Sequence, residues 1–151
     1  MRRADPRIKA GLIIASPDEV RGPEDAAASH FPLLQKVDFG TMTADALVIA
    51  GDQDLNPMFS ERISYRWDAY TLSPGPKSLL TVHGGEHIPG GISGYDAAET
   101  TDPDPERVAL VAAAGWAYLR STLTPKTRPG PGGRRPYVGP QPLASVESKG
   151  R

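Results

Sequence analysis

Three short segments rich in apolar residues, each ended by small or polar residues, constrain the fold most strongly. They are residues 10–15 (AGLIIA), 46–50 (ALVIA) and 78–82 (SLLTV). Apolar runs of this length without polar alternation are typical of strands buried on both faces of a parallel sheet. Two segments, 58–70 and 104–123, have helical character, and in the first of them Phe59, Ile63 and Trp67 recur at four-residue spacing. The sequence therefore predicts an α/β fold with about three parallel strands and flanking helices.

The last helix carries clear start signals. Asp104 suits an N-cap, Pro105 the first helical position and Glu106 the acidic first turn. We expect this helix to continue to about residue 123. The side chains predicted to face the core are Val108, Val111, Leu119 and Leu123.

The composition changes at residue 125. Residues 125–151 contain six Pro, five Gly, six Lys or Arg and one Glu, so this segment carries a charge of +5. Residues 1–124 carry 11 basic and 17 acidic side chains, a charge of −6. A segment so poor in apolar residues cannot offset its ordering entropy by burial. We therefore predict a partial α/β domain over 1–124 and a disordered tail over 125–151.

The overall composition excludes several classes of protein. The chain has no cysteine, which rules out disulfides, thiolate metal ligands and a cysteine nucleophile, and favours a reducing compartment. A net charge of −1 gives no electrostatic reason to bind nucleic acid or an anionic membrane. The apolar runs are too short to span a bilayer, and residues 1–6 do not resemble a signal peptide. We predict a cytoplasmic protein without nucleic-acid or membrane partners.

Acidic and imidazole side chains follow the second and third predicted strands. Asp52 and Asp54 come after the second strand, and His83, Glu86 and His87 come after the third. Ligands of parallel sheets bind beyond the carboxyl ends of the strands. A carboxylate that orients an imidazole, which in turn deprotonates a nucleophile, is the arrangement of a hydrolytic relay. The order and the flanking glycines favour Asp54 and His87 as this pair, whereas Asp52 reads as a turn former and His83 as the end of its strand.

These motifs resemble the C-terminal half of the α/β-hydrolase superfamily, in a bacterial chlorophyllase-like or dienelactone-hydrolase-like branch. Gly51-x-x-Asp54 and Gly84-x-x-His87 match the family's acid and histidine motifs, and the resemblance covers roughly residues 4–123. It implies that Asp54 is the catalytic acid and His87 the base of a Ser-His-Asp mechanism. The implied substrate is a small-molecule carboxylic ester, and no cofactor or metal is required.

The family's nucleophile motif is missing. No serine in the chain lies in G-x-S-x-G, the strand-to-helix turn that presents the nucleophile. We therefore expect the C-terminal portion of an α/β-hydrolase fold, inactive alone, whose first strand becomes an exposed apolar edge. The expected partners are a complementary N-terminal half or a second copy bound through that edge, and the isolated chain should be marginally stable or oligomeric.

Two other functions are compatible with the sequence. His83-Gly84-Gly85-Glu86-His87 matches H-x-x-E-H, an inverted zinc-hydrolase motif in which His83, Glu86 and His87 would surround the metal. That chemistry needs a helix, which two adjacent glycines oppose. The other alternative is a non-catalytic fold remnant or binding module.

Overall fold

The computed structural model describes residues 5–17, 19, 26–93, 101–124 and 142–150. Within them, four strands form one sheet: β1 (Ala10–Ile14), β2 (Asp45–Gly51), β3 (Lys77–Val82) and β4 (Ala144–Lys149). The α-helices are α1 (Ala26–His30), α2 (Asp68–Thr71) and α3 (Pro105–Leu123). Short 3-10 helices cover Pro32–Lys36, Phe39–Thr41, Ile63–Trp67 and Pro89–Gly91. The predicted combination of helices and a sheet in an α/β class is confirmed.

The sheet has the order β1-β2-β3-β4. The first three strands are parallel, as the apolar runs predict, with Leu12 opposite Leu47 in β1 and β2. β4 is antiparallel to β3 and places Val146 opposite Leu80. Because β2 and β3 are parallel neighbours, the loops that follow them lie at the same end of the sheet.

β4 corrects the prediction of a disordered tail. Residues 142–150 belong to the segment predicted to be disordered, yet 144–149 form a six-residue strand; residues 125–141 and 151 lie outside the described residues. The strand is mostly exposed, so apolar burial contributes little to it. It is held by the backbone ladder to β3, by the Ser78–Ser148 hydroxyl contact at 2.9 Å, and by Lys149, whose ammonium group lies over the Tyr70 ring. The sheet therefore contains four strands in mixed orientation, and it extends beyond residue 124.

Side chains of β2 and β3 alternate between two apolar clusters, one on each face of the sheet. On the α3 side, Ile49 and Leu80 pack with Val111 of α3. On the opposite side, Val48 and Leu79 pack with Phe39 and Ala69. Burial on both faces explains the adjacent apolar residues 46–50 of β2 and 79–80 of β3.

β1 is an edge strand within the described part of the chain, where it pairs with β2 alone. Leu12 is 37% exposed and Ile14 38% exposed. These side chains lie on the face that α3 covers, as shown by a Leu12 methyl that would contact a Cβ on Gly115 at 3.1 Å. The exposed apolar edge expected from the sequence is therefore present at β1.

The predicted helix over 58–70 is wrong in most of its length. The segment begins with turns and continues as the 3-10 helix Ile63–Trp67, and only Asp68–Thr71 is α-helical. Phe59 leaves the helical path and stacks on Phe31 with a centroid separation of 4.6 Å. Tertiary contacts thus override the four-residue apolar spacing.

The last helix begins as predicted. The Asp104 carboxylate accepts hydrogen bonds from the backbone N–H groups of Glu106 and Arg107, and Pro105 occupies the first helical position. Val111 is buried in the core. Leu123 is exposed, which corrects its assignment to the core; it lies in the final turn, where α3 passes beyond the sheet-packing residues of the cluster around Val111.

Candidate functional site

Asp54 and His87 lie together at the end of the sheet where β2 and β3 finish. Oδ2 of Asp54 is 3.2 Å from Nδ1 of His87. The Asp54 side chain is 1% exposed, whereas the His87 side chain is 43% exposed. A buried carboxylate that contacts the inner nitrogen of a half-exposed imidazole has the spatial order of a hydrolytic acid–base pair.

The loops after β2 and β3 approach each other through two glycines. A Cβ added to Gly51 would lie 2.0 Å from the carbonyl oxygen of Gly85, so the close approach requires glycine at position 51. Backbone hydrogen bonds continue the contact beyond the strands: Asp52 N–H donates to Val82 C=O at 3.1 Å, and Gln53 N–H donates to Gly85 C=O at 2.9 Å. Gly51, one of the glycines that flank the predicted pair, thus permits the close approach of the two loops.

The backbone next to His87 contains one strained residue and is held by two hydrogen bonds to Asp102. Ile88 has φ = 59°, a left-handed conformation that a β-branched residue adopts at an energetic cost. Asp102 Oδ2 accepts hydrogen bonds from the N–H groups of Glu86 at 3.1 Å and Gly90 at 3.2 Å. These two bonds hold the loop on both sides of His87.

Arg66 is a central member of the site that the sequence analysis did not identify. Its side chain is 2% exposed. Its Nε lies 2.7 Å from Asp54 Oδ2, and its Nη2 lies 2.9 Å from Asp54 Oδ1 and 3.0 Å from His87 Nδ1. Its Nη1 donates to the carbonyl oxygens of Ala15 at 3.2 Å and Ser16 at 2.9 Å. The guanidinium therefore joins the ends of β1, β2 and β3.

No local sequence signal identifies Arg66 as a buried residue. It lies inside the segment predicted to be a helix, where the four-residue spacing assigns Phe59, Ile63 and Trp67 to the core side. The one indirect signal is Asp54, because a carboxylate that is buried in the fold needs a cationic or hydrogen-bonding partner.

Asp52 and His83 form a second acid–imidazole pair, although the sequence analysis treated them as a turn former and a strand end. Asp52 Oδ2 is 3.0 Å from His83 Nδ1, and Oδ1 accepts a hydrogen bond from the N–H of Gly84 at 2.7 Å. Burial acts to raise the pKa of Asp52, but hydrogen bonds from His83, Gly84 and Gln53 outweigh it and lower that pKa below its usual value.

A cavity of about 230 Å³ opens beside the Asp54–His87 pair. Asp54, His87 and Glu86 contribute its polar wall, and Leu55 and Pro57 contribute apolar surface. The cavity is small, and a group bound there would meet the exposed part of the imidazole. Among the described residues, no serine hydroxyl hydrogen-bonds to His87.

The zinc-hydrolase alternative finds no helical support. Residues 83–84 form a turn, 85–86 have no regular structure and 87 lies in a bend, so the two histidines do not share one face of a helix. His83 and His87 each direct Nδ1 to a different carboxylate. Over the described ranges, no group of three or more His, Asp or Glu side chains is arranged to hold a metal ion.

Comparison with known proteins found no matching family model, curated protein or solved structure. Among the helices in the described part of the chain, none has the length and apolar character required to cross a membrane.

Proposed function

We propose that this chain supplies the acid and the histidine of an α/β-hydrolase that cleaves carboxylic esters by a Ser-His-Asp mechanism. The observation that carries the proposal is the 3.2 Å contact between Asp54 and His87 at the carboxyl ends of neighbouring parallel strands. The G-x-x-D and G-x-x-H motifs that resemble this superfamily contain the same two residues.

Each residue has a defined task in this mechanism. Nε2 of His87 takes the proton of the serine hydroxyl as the hydroxyl attacks the ester carbonyl, and later returns it to the leaving alcohol. Asp54 orients the ring through Nδ1 and stabilises the imidazolium that forms. Water then attacks the acyl-serine, again with His87 as the base, and releases the acid.

The serine and the oxyanion donors have to come from outside this sequence, because the chain contains no G-x-S-x-G. The exposed apolar edge at β1 is where a further parallel strand would extend the sheet. We propose that a complementary N-terminal segment binds along β1 and brings the nucleophile to His87. The chain alone should not turn over esters.

The test compares the chain with a protein extended by the reading frame that precedes the Met1 codon. If that frame encodes a strand, G-x-S-x-G and a helix, the extended protein should hydrolyse p-nitrophenyl acetate and react with a fluorophosphonate. His87→Ala should abolish turnover, and Asp54→Asn should lower kcat about 10⁴-fold. His83→Ala and Asp52→Asn are the matched controls from the second pair and should retain turnover.

Other results would contradict the proposal. If the extended protein still hydrolyses esters after His87→Ala, this histidine is not the base. Ester turnover by the chain alone that depends on His87 would show that no outside nucleophile is needed. A preceding frame without the nucleophile motif, together with an inactive chain, would favour a non-catalytic remnant or binding module.

A further inference from the structure

We propose that Arg66 is a positioning residue that sets the tautomer of His87, with Nδ1 as a hydrogen-bond acceptor and Nε2 as the protonated nitrogen. The mechanistic consequence rests on the function proposed for the Asp54–His87 pair. The tautomer itself follows from the contacts of the guanidinium and can be measured without any catalytic activity.

Two groups compete for the same ring nitrogen. Nη2 of Arg66 lies 3.0 Å from His87 Nδ1, and Oδ2 of Asp54 lies 3.2 Å from it. A guanidinium can only donate hydrogen bonds, and an ionised carboxylate can only accept them. Nδ1 of a neutral imidazole either carries a proton or accepts one. The two contacts therefore require opposite tautomers.

The four hydrogens on the terminal nitrogens of Arg66 decide the competition. The two on Nη1 are directed to the carbonyl oxygens of Ala15 and Ser16. One on Nη2 is directed to Asp54 Oδ1, and the other to His87 Nδ1. The Nε hydrogen makes no hydrogen bond, although Nε lies 2.7 Å from Asp54 Oδ2. A proton on Nδ1 would remove the fourth acceptor and leave a second buried N–H of this charged group unpaired, which is costly.

Asp54 depends less on a hydrogen bond from His87 Nδ1 than Arg66 depends on a hydrogen bond to it. Asp54 already has a permanent cation within 2.7 Å of Oδ2 and 2.9 Å of Oδ1. The guanidinium is held in place from its other side, because its central carbon lies 4.4 Å from the Tyr65 ring centroid and 5.7 Å from that of Phe59. Arg66 is thus fixed where it contacts both members of the pair.

This tautomer is the resting form of the proposed relay. A general base must offer an unprotonated Nε2 to the serine hydroxyl. With Nδ1 engaged by Arg66, Nε2 holds the proton and cannot take another. Activation requires that Nε2 releases its proton to solvent and that Nδ1 takes up a proton from solvent, keeps it and donates a hydrogen bond to Asp54. Arg66 has to withdraw from Nδ1 for this exchange.

His83 provides an internal comparison within the same molecule. Its Nδ1 faces Asp52 Oδ2 at 3.0 Å, and the neighbouring Arg107 guanidinium donates to the His83 carbonyl oxygen and not to its ring. We therefore expect the opposite tautomer at His83, with a proton on Nδ1 and a free Nε2.

The test is long-range ¹H–¹⁵N correlation NMR of the full ¹⁵N-labelled chain. It is run about two pH units above 6.5, the reference pKa of histidine in model peptides, so that neutral rings are observed. We expect a protonated Nε2 and an unprotonated Nδ1 for His87, and the reverse pattern for His83. A proton on His87 Nδ1 would overturn the inference.

Arg66→Lys separates the positioning role from the charge. Lysine keeps a cation beside Asp54 but lacks the fork that reaches both residues. We expect His87 in the variant to move its proton to Nδ1. An unchanged tautomer in a folded variant would contradict the proposal.

If Arg66→Lys does not fold, the unmutated chain still decides the question. A scalar ¹⁵N–¹⁵N coupling between Arg66 Nη2 and His87 Nδ1 through their hydrogen bond should be present, and its absence would overturn the inference. These readouts do not depend on ester turnover. Failure of the extended protein to hydrolyse esters would reject the proposed function and leave the tautomer assignment standing.

Discussion

The α-carbon of Gly51 lies so close to the peptide group of Gly85 that a methyl group on Gly51 would come within 2.0 Å of the Gly85 carbonyl oxygen. This contact brings the ends of β2 and β3 together, and with them Asp54 and His87. The proposed site therefore depends on a backbone contact that only glycine permits.

Gly51→Ala should force these loops apart. We expect a loss of about 3 kcal/mol in the free energy of unfolding, at the upper end of the usual cost of overpacking, since the obstacle is backbone. Urea denaturation followed by tryptophan fluorescence measures it. Gly11→Ala in β1 is the matched control, because its new Cβ would meet Ala46 at an ordinary 3.9 Å. Equal urea midpoints for Gly51→Ala and Gly11→Ala would show that the close approach of Gly51 to Gly85 is dispensable.

Arg66→Met should leave Asp54 as a buried carboxylate without its cation. The expected cost is about 3–5 kcal/mol of unfolding free energy, as for other broken buried ion pairs. The double variant Arg66→Met/Asp54→Asn removes both charges and should recover much of the loss. A double-mutant cycle from denaturant titrations gives the coupling. Additive effects would mean that the 2.7 Å contact contributes no net coupling.

Asp102→Ala should release the loop that carries His87, because Asp102 accepts hydrogen bonds from the N–H groups of Glu86 and Gly90. We expect hydrogen exchange at these two amides to accelerate about tenfold or more, consistent with the loss of bonds to a charged acceptor. Asp104→Ala is the control: it removes the cap of α3 and should cost about 1 kcal/mol, with the main exchange increase in the first turn of that helix. Unaltered exchange at Glu86 and Gly90 in Asp102→Ala would rule out the clamp.

Asp52 should make the stability of the chain depend on acidic pH. Its pKa is lowered in the folded chain, so its contribution is complete above the ordinary value of 3.8 and is lost as the pH falls through the lowered pKa. The difference in unfolding free energy between the unmutated chain and Asp52→Asn should therefore be largest above pH 5 and shrink below pH 3.8. Asp38→Asn controls for the removal of a carboxylate. A difference that grows towards low pH would show that the sign is wrong.

The edge of β1 should drive self-association when no complementary segment is present. Leu12 and Ile14 expose apolar surface on β1, which pairs with only one other strand among the described residues. Sedimentation velocity should show concentration-dependent oligomers, which Ile14→Lys disperses. Leu33→Lys replaces an apolar side chain that is even more exposed but belongs to the 3-10 helix Pro32–Lys36 and not to the sheet, and it should leave the oligomers intact. A soluble monomer with a sharp, reversible melt would refute this prediction.

The sequence by itself determined the parts of the molecule that depend on local chemistry. The apolar runs form β1, β2 and β3, and in β2 and β3 they do not alternate with polar residues because both faces of these strands are buried. Asp104 and Pro105 start α3 because the signals of a helix N-terminus lie within three residues. The spacing of Asp54 and His87 after their strands sufficed to predict that they meet.

Only the tertiary structure decided the rest. β4 has almost no apolar pattern, and it forms because the free edge of β3 offers backbone hydrogen bonds to any extended segment that reaches it. Arg66 is buried because the ends of three strands surround it with a carboxylate, an imidazole nitrogen and two carbonyl oxygens. These acceptors come from positions 12 to 51 residues away along the chain, so no local pattern around Arg66 could encode its place. Charge compensation of a buried acid is a property of the assembled fold, and here it also determines which nitrogen of His87 is protonated.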